Sequence, residues 1–234
     1  MQQEFDVFAR YLSYQRLNSY KFKTIDPIVL YKWNLALSEV FYPLLNAIEI
    51  ALRNRLHVGI SEIISDDHWL INRNQKIISM LHNHWRVKIE SNIKDLAINN
   101  RLDEGHLIAE LSFGFWTIFL NRKFEHKQFL WPNLKKQIFP FAHGVKINEI
   151  RDQFNAIRRL RNRIFHYEAI WHWHDLQEQH DAIIRAIEWI NPVLLKLVSK
   201  DRFKYIYTNR PVATIEEDRS VISIMETTEE ALSG

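Results

Sequence analysis

The sequence predicts an all-α protein, on the evidence of its composition and of the spacing of its apolar residues. Apolar residues make up 47% and aromatic residues 13% of the 234 residues, which is enough for a sizeable core. Five glycines and six prolines are far fewer than ordinary usage, so the turns that sheets and hairpins need are scarce. Cysteine is absent, which excludes disulfides and thiolate metal sites and favours a reducing, cytoplasmic location.

Five stretches carry apolar residues at helical spacing. The first begins at Asp26 and Pro27, an N-cap followed by proline at the first helical position, and Pro43 is expected to kink or split it. The other helices are predicted over residues 74–99, 103–121, 148–167 and 175–199. The most apolar run, residues 107–120, is too short to span a bilayer and predicts a buried core helix.

Charge is distributed unevenly along the chain. Residues 211–234 contain six acidic residues and one arginine, so the net charge of +3 leaves residues 1–210 at +8. This pattern predicts a single domain over residues 1–210, followed by an acidic, poorly ordered tail over residues 211–234. A second interpretation, that the tail shields the basic body from polyanions, stays open.

The segment RRLRNRIFHYE, residues 158–168, places four arginines before one histidine. On a helix, Asn162 and His166 are four residues apart and share a face. The arginines are Arg158, Arg159, Arg161 and Arg163. Spacing alone does not separate a phosphate-binding site from a solvated arginine-rich face with a surface histidine.

A second polar stripe lies in NAIEIALRNRLH, residues 46–57. Glu49, Arg53 and His57 follow one another at intervals of four residues on a helix whose other residues are mostly apolar. Glu49 and Arg53 can pair, and a charged pair inside an apolar helix costs desolvation and is usually kept for specificity or for a site. The two stretches together predict a composite site, with the helix over residues 148–167 packed on the one that carries Glu49.

Four successive blocks over about residues 8 to 200 carry a resemblance to a known family. They are LYKWNLALSEVFYPLLNAIEIALRNRLH, ELSFGFWTIFL, LWPNLKKQIFP and IRRLRNRIFHYEAIW. In this order they resemble the bacterial Abi-like (abortive infection) protein family, which belongs to the HEPN superfamily. The signature of that superfamily is an arginine, often followed by a polar residue, and a histidine after four to six intervening residues. Arg161, Asn162 and His166 match it with four intervening residues.

The resemblance implies a HEPN-like helical bundle with additional helices and a metal-independent endoribonuclease activity, in a toxin or anti-phage effector. It implies no cofactor and no metal. Expected partners are RNA and a second copy of the chain, with an antitoxin, protein or RNA, as a further candidate, and no membrane. Such bundles usually dimerise so that two motifs face one cleft.

The residue types suit this chemistry. His166 is assigned to acid/base work, Arg161 to stabilising developing negative charge, and Asn162 to orienting the histidine or the phosphate. The supporting residues are Glu49, Arg53 and Asn54, and the expected RNA-binding residues are Arg158, Arg159 and Arg163.

Two alternatives are weighed against the nuclease. A non-catalytic RNA-binding or protein-interaction module could use the same basic cleft. The density of histidine after His166 also suggests a metal, but His172 and His174 are two residues apart and do not share a helix face. No H-E-x-x-H pattern is present either, so no metal site is expected.

Overall fold

The computed structural model describes residues 2–22, 25–125 and 130–211, and this part of the chain is all-α, which confirms the predicted fold class. The described residues form eleven α-helices: α1 Gln2–Leu12, α2 Tyr14–Asn18, α3 Pro27–Ile64, α4 Gln75–Ile78, α5 Asn83–Ile98, α6 Glu104–Glu110, α7 Phe113–Thr117, α8 Asn133–Ile138, α9 Ile147–Phe165, α10 Leu176–Ile190 and α11 Lys200–Thr208. Short 3-10 turns lie at Ile118–Leu120, Arg122–Phe124 and Pro192–Leu197. β pairing in the described ranges is limited to one bridge between Phe22 and Ile25.

Helix α3 begins where its capping residues predict. The carboxylate of Asp26 accepts the N–H of Ile28 at 2.8 Å, and Pro27 is the first helical residue. The helix is 38 residues long and continues through Pro43, so Pro43 does not split it, and the alternative expectation of a kink stays a prediction. Proline removes one backbone hydrogen bond, and burial on both sides of it, at Phe41 and Leu44, keeps the chain helical.

The helix predicted over residues 74–99 is interrupted, because its middle is held by side-chain bonds to the backbone. At one end of the gap, Oγ of Ser79 donates to the carbonyl of Gln75 at 2.6 Å and Ser79 caps the C-terminus of α4. At the other end, Nε of Arg86 donates to the carbonyl of Leu81 at 3.1 Å, and the extended residue His82 starts α5. The prediction of one continuous helix was therefore wrong.

Two further predicted helices end early. The one predicted over residues 103–121 divides into α6 and α7, since Leu111 and Ser112 are extended. The one predicted over residues 175–199 ends at Ile190, and the side chain of Asn191 accepts the N–H of Val193 to open a 3-10 turn. The helix predicted over residues 148–167 is confirmed as α9, with its bounds shifted by one and two residues.

The described residues divide into two compact units. The first unit is drawn from the ranges Met1–Tyr42, Asn162–His180 and Ser199–Gly234, and the second from Pro43–Arg161 and Asp181–Val198. A single domain over residues 1–210 stays a prediction. The acidic tail predicted over residues 211–234 lies outside the described residues except for Pro211.

In the first unit, the buried side-chain amide of Asn34 links two segments of the chain. Oδ1 of Asn34, which is 4% exposed, accepts the N–H groups of Ile170 and Trp171 at 2.7 and 3.1 Å. The indole N–H of Trp171 donates to the carbonyl of Ser19 at 3.2 Å. Because buried backbone donors must be satisfied, Asn34 fixes the chain that follows α9 against α3.

The second unit has an aromatic core. Trp69 and Trp116 are fully buried and meet edge to face, with ring centroids 6.4 Å apart. The run 107–120 contributes Leu107, Phe113, Phe115, Trp116 and Phe119 to this core, each at most 1% exposed. The prediction that this run contributes to the core is therefore confirmed, although the run forms parts of two helices rather than one buried helix.

Helix α3 is also long and apolar enough to cross a membrane by length and composition, and 44% of its most apolar 18-residue window is buried. Core helices of soluble proteins have the same properties, so this is weak evidence about a membrane.

We predict that Asp66 stabilises the second unit in a pH-dependent way. Its carboxylate accepts the amides of Asn74 and Asn72 at 2.8 and 2.9 Å, and the Asn74 bond chiefly lowers the pKa of Asp66 below its ordinary 3.8. Because the pKa of Asp66 is lower in the folded protein than in the unfolded chain, its carboxylate contributes to stability. This contribution is complete well above pH 3.8 and is lost as the pH falls through the pKa of the folded state. Because solvent screens this partly exposed carboxylate, Asp66→Asn should lower the free energy of unfolding at pH 7 by less than about 1 kcal/mol.

The measurement is urea unfolding at several pH values. The difference in the free energy of unfolding between the parent and Asp66→Asn should shrink once the pH falls below 3.8, the ordinary pKa of an aspartate. The protonated carboxyl then resembles the amide. Asp67→Asn, a change at the exposed neighbour, is the control and should show no such pH dependence. A difference that persists unchanged in acid would contradict the assignment.

Candidate functional site

Helix α9 carries the arginine-rich motif because one of its faces is apolar throughout. Ile150, Phe154, Ile157 and Leu160 recur at helical spacing and are fully buried. The arginines fall on the remaining surface, where Arg158 and Arg161 are half-buried and Arg159 is exposed. Burial of the apolar face thus decides which way the basic residues point.

The end of α9 positions His166. Its N–H donates to the carbonyl of Asn162 at 2.9 Å, so these two residues share the last helical turn, as the spacing predicts. Tyr167 then adopts a left-handed conformation with φ of 59°, and the N–H of Glu168 returns to the carbonyl of Arg163 at 2.8 Å. This is a Schellman ending, and it leaves the side chain of His166 exposed at the helix terminus.

A tyrosine at this left-handed position is unusual, since glycine normally occupies it. The conformation costs about 1 kcal/mol for a residue with a Cβ. The guanidinium of Arg16 donates to the carbonyl of Tyr167 and so helps to hold it. Sequence reasoning missed Arg16, because its partner lies 151 residues away and nothing local indicates the contact.

Arg161 is held by Glu49 within the second unit. Nε of Arg161 donates to Oε2 of Glu49 at 3.1 Å and Nη2 donates to Oε1 at 3.4 Å. Both side chains are 20% exposed. This two-point contact orients the guanidinium more firmly than a single bond would, and it joins α9 to α3 as predicted.

Glu49 and Arg53, which the spacing allows to pair, have other partners in the structure. Nε of Arg53 donates instead to Oδ1 of Asn54 at 3.2 Å, and the carboxylate of Glu49 is taken by Arg161. A spacing of four residues makes Arg53 an available partner, but the fork of Arg161 from a facing helix meets both carboxylate oxygens.

His57 belongs to a different network from Glu49 and Arg53. Its Nε2 lies 3.1 Å from Oε1 of Glu104, and its ring stacks on Trp69 with centroids 5.9 Å apart. The same buried carboxylate accepts the N–H groups of Leu70 and Ile71 at 3.0 and 3.1 Å. His57 and Glu104 therefore fix the chain after α3 to the start of α6. The signal for Glu104 in the sequence was its position, as an acidic residue directly after the Asp103 N-cap.

Arg163 has structural contacts in the first unit. Its Nη2 donates to the carbonyl of Ala169 at 3.1 Å, its Nε lies 3.5 Å from the carboxylate of Glu168, and its guanidinium lies 5.4 Å from the ring centre of Trp173. The guanidinium thus braces residues 168–173. Its role in RNA binding stays a prediction.

The two units divide the predicted site residues between them. Asn162, Arg163 and His166 belong to the first unit. The second unit contains Glu49, Arg53, Asn54, Arg158, Arg159 and Arg161. The predicted meeting of Arg53 with His166 stays a prediction.

Across the described ranges, no group of three or more histidine, cysteine, aspartate or glutamate side chains is placed to hold a metal ion. No family model, curated protein or solved structure matches this chain.

We predict that Glu49 and Arg161 are energetically coupled. Glu49→Gln keeps the shape of the side chain but removes the charge, and it should lower the free energy of unfolding by about 1 to 2 kcal/mol, between the values for exposed and buried pairs. A double-mutant cycle with Arg161→Gln, followed by urea unfolding, measures the coupling.

The matched control for this cycle is Glu62→Gln on the same helix. Glu62 is exposed and accepts the uncharged amide of Gln137 at 2.7 Å, so its loss of charge should change stability by less than about 0.5 kcal/mol. A coupling energy near zero between Glu49 and Arg161 would reject the pair as an organising contact.

Proposed function

We propose that this protein is a metal-independent endoribonuclease of HEPN type that acts as a toxin or abortive-infection effector. The observation that carries the proposal is the two-point contact of Glu49 with Arg161, the arginine of the motif. It fixes the direction of a guanidinium on a basic helix whose end exposes a histidine. These are the parts that RNA cleavage without a metal requires.

Glu49 is a positioning residue in this proposal. It has no role in the reaction itself, but it preorganises Arg161 so that orienting the guanidinium costs little when a phosphate binds. The carboxylate of Glu49 offsets the charge of Arg161. Neighbouring cations therefore attract the RNA phosphates. Arg158 and Arg159 lie on the same helix, and residues 1–210 carry a net charge of +8.

The proposed reaction uses the 2′-hydroxyl of RNA as the nucleophile. A base removes the proton of the 2′-hydroxyl, the oxygen attacks the adjacent phosphorus, and the bond from phosphorus to the 5′-oxygen breaks. An acid protonates the departing 5′-oxygen, which leaves a 2′,3′-cyclic phosphate and a 5′-hydroxyl. Negative charge grows on the phosphorane oxygens and is stabilised by Arg161.

His166 moves the protons, since an imidazole is able both to accept and to donate near neutral pH. Asn162 orients either the imidazole or the phosphate. One motif histidine per chain supplies one proton-transfer group, and a second copy of the chain supplies the other.

A second candidate is a non-catalytic RNA-binding module. The exposure of the His166 side chain favours it, because catalytic histidines are commonly enclosed by neighbouring groups. Both functions require salt-sensitive RNA affinity, and they differ in whether products form.

We predict that His166→Ala lowers RNA cleavage by about 10² to 10⁴-fold with nearly unchanged RNA affinity, since that is the usual contribution of general acid/base catalysis. Arg161→Ala should reduce both the rate and the affinity, because an arginine on phosphate acts in the ground state and in the transition state. The assay is purified protein with total RNA in EDTA, followed by analysis of fragment ends.

Arg159→Ala is the matched control, because Arg159 is exposed on the same helix. Arg163 is unsuitable as a control, because it braces residues 168–173. It should weaken affinity modestly and leave the rate on bound RNA unchanged. Unaltered cleavage by His166→Ala, or an absence of cyclic phosphate ends from the parent protein, would reject the nuclease in favour of the binding module.

We also predict a homodimer, in which two copies of His166 face one cleft. Light scattering at micromolar concentration should give twice the chain mass of 28.2 kDa. A monomeric mass together with full cleavage activity would exclude the shared cleft.

A further inference from the structure

The second unit contains a cleft of about 610 Å³ beside α3. This volume lies in the range of small-ligand sites. It is lined by residues of α3 between Pro43 and Arg55, by Pro140 and by residues around Asn191. None of the roles described above uses the cleft as a whole.

The floor of the cleft is apolar and open enough for a flat ring. Ala47 and Ala51 have small side chains, and Ile50 between them is 39% exposed. The rings of Pro43 and Pro140 add further apolar surface. A planar ligand would cover this exposed apolar area, which is favourable in water.

The polar groups around this floor present hydrogen-bond donors. Oδ1 of Asn54 accepts Nε of Arg53 at 3.2 Å, and Oδ1 of Asn191 accepts the N–H of Val193 at 3.0 Å. These bonds occupy the amide oxygens and set the orientation of both amides, whose NH₂ groups are donors. Arg55 is donor-only as well, and it uses one N–H on the carbonyl of Gln137. Asn46 adds an amide with both a donor and an acceptor, so donors outnumber acceptors on this rim and favour a ligand with carbonyl oxygens.

The cleft lies beside the residues assigned to RNA. Asn46, Ile50 and Asn54 are at intervals of four and form one stripe of α3. Glu49 and Arg53 lie three residues after Asn46 and Ile50, so their stripe adjoins this one on the same helix. A strand whose phosphate meets Arg53 or Arg161 is thus able to place a neighbouring base on the apolar floor.

We propose that this cleft binds a keto pyrimidine base, uracil, of a single-stranded RNA substrate. The proposal rests on the proposed function, since it assigns a substrate preference to the same protein. The donors of Asn54, Asn191 and Arg55 match the two carbonyl oxygens of uracil. Cytosine has the same size but carries an amino donor in place of one carbonyl, so it suits this rim poorly.

A protein partner fits the cleft less well than a base. Stable protein interfaces bury about 800 Å² on each side and are centred on a charge-poor apolar patch. Here three asparagines and one arginine surround a floor of nucleotide size, on a chain whose residues 1–210 are strongly basic.

The test compares binding of two ten-residue 2′-O-methyl oligonucleotides, oligo-U and oligo-C, to the full chain by fluorescence anisotropy. The methyl group removes the nucleophile, so binding is measured without cleavage. The parent should bind oligo-U about tenfold more tightly than oligo-C, in line with one well-placed base contact. Ala47→Trp, which fills the floor, should lower oligo-U affinity about tenfold and bring the ratio close to one.

Two further variants keep the result interpretable. Val58→Trp adds the same ring at an exposed position of α3 outside the cleft, and it should leave both affinities unchanged. Asn54→Leu removes one of the proposed donors at an exposed lining position and keeps the branched shape of the side chain, so it should lower the preference for oligo-U even if Ala47→Trp does not fold.

Equal affinity of the parent for the two oligonucleotides, or an unaltered preference in both cleft variants, would overturn the proposal. So would a parent dimer that Ala47→Trp converts to monomer at constant RNA affinity, because the cleft would then be a protein interface. A uracil preference without cleavage of natural RNA supports the cleft while rejecting the nuclease. Cleavage without any base preference rejects the cleft alone, and no binding to RNA rejects both.

Discussion

The contact between Glu49 and Arg161 is the constraint on which the candidate site depends. Glu49 lies on α3 between fully buried residues, Ile48 and Leu52, where an unpaired carboxylate would be costly. Arg161 meets both carboxylate oxygens and is itself only 20% exposed. The pair thus fixes the motif arginine and joins α9 to α3 within the second unit.

The other end of the motif is shaped by backbone geometry. A left-handed Tyr167 ends α9 and leaves His166 as the residue that caps it. Arg163 and Arg16 contact the chain on either side of this ending, at the carbonyls of Ala169 and Tyr167. Basic residues near His166 therefore have structural tasks, and the charge available for RNA is smaller than the number of arginines suggests.

Polar residues at different positions along α3 have different roles. Glu49 orients Arg161, whereas His57 and Glu104 anchor the chain after the helix. Asn46 and Asn54 line an open apolar cleft. Since α3 is mostly apolar, each buried polar side chain requires a specific partner or access to water, and those requirements locate the candidate sites.

The sequence by itself determined the all-α class, the start of α3 at Asp26 and Pro27, and the extent of α9, because capping and apolar periodicity are local properties. It also predicted that α9 packs on the part of α3 that carries Glu49, and the contact of Arg161 with Glu49 joins these two helices. Only the tertiary structure decided that Glu49 pairs with Arg161 rather than Arg53, and that Leu111 and Ser112 interrupt a helix. Those outcomes depend on partners that are distant in the chain. Glu49 and Arg161 are 112 residues apart, and local spacing does not indicate the geometry of such a contact.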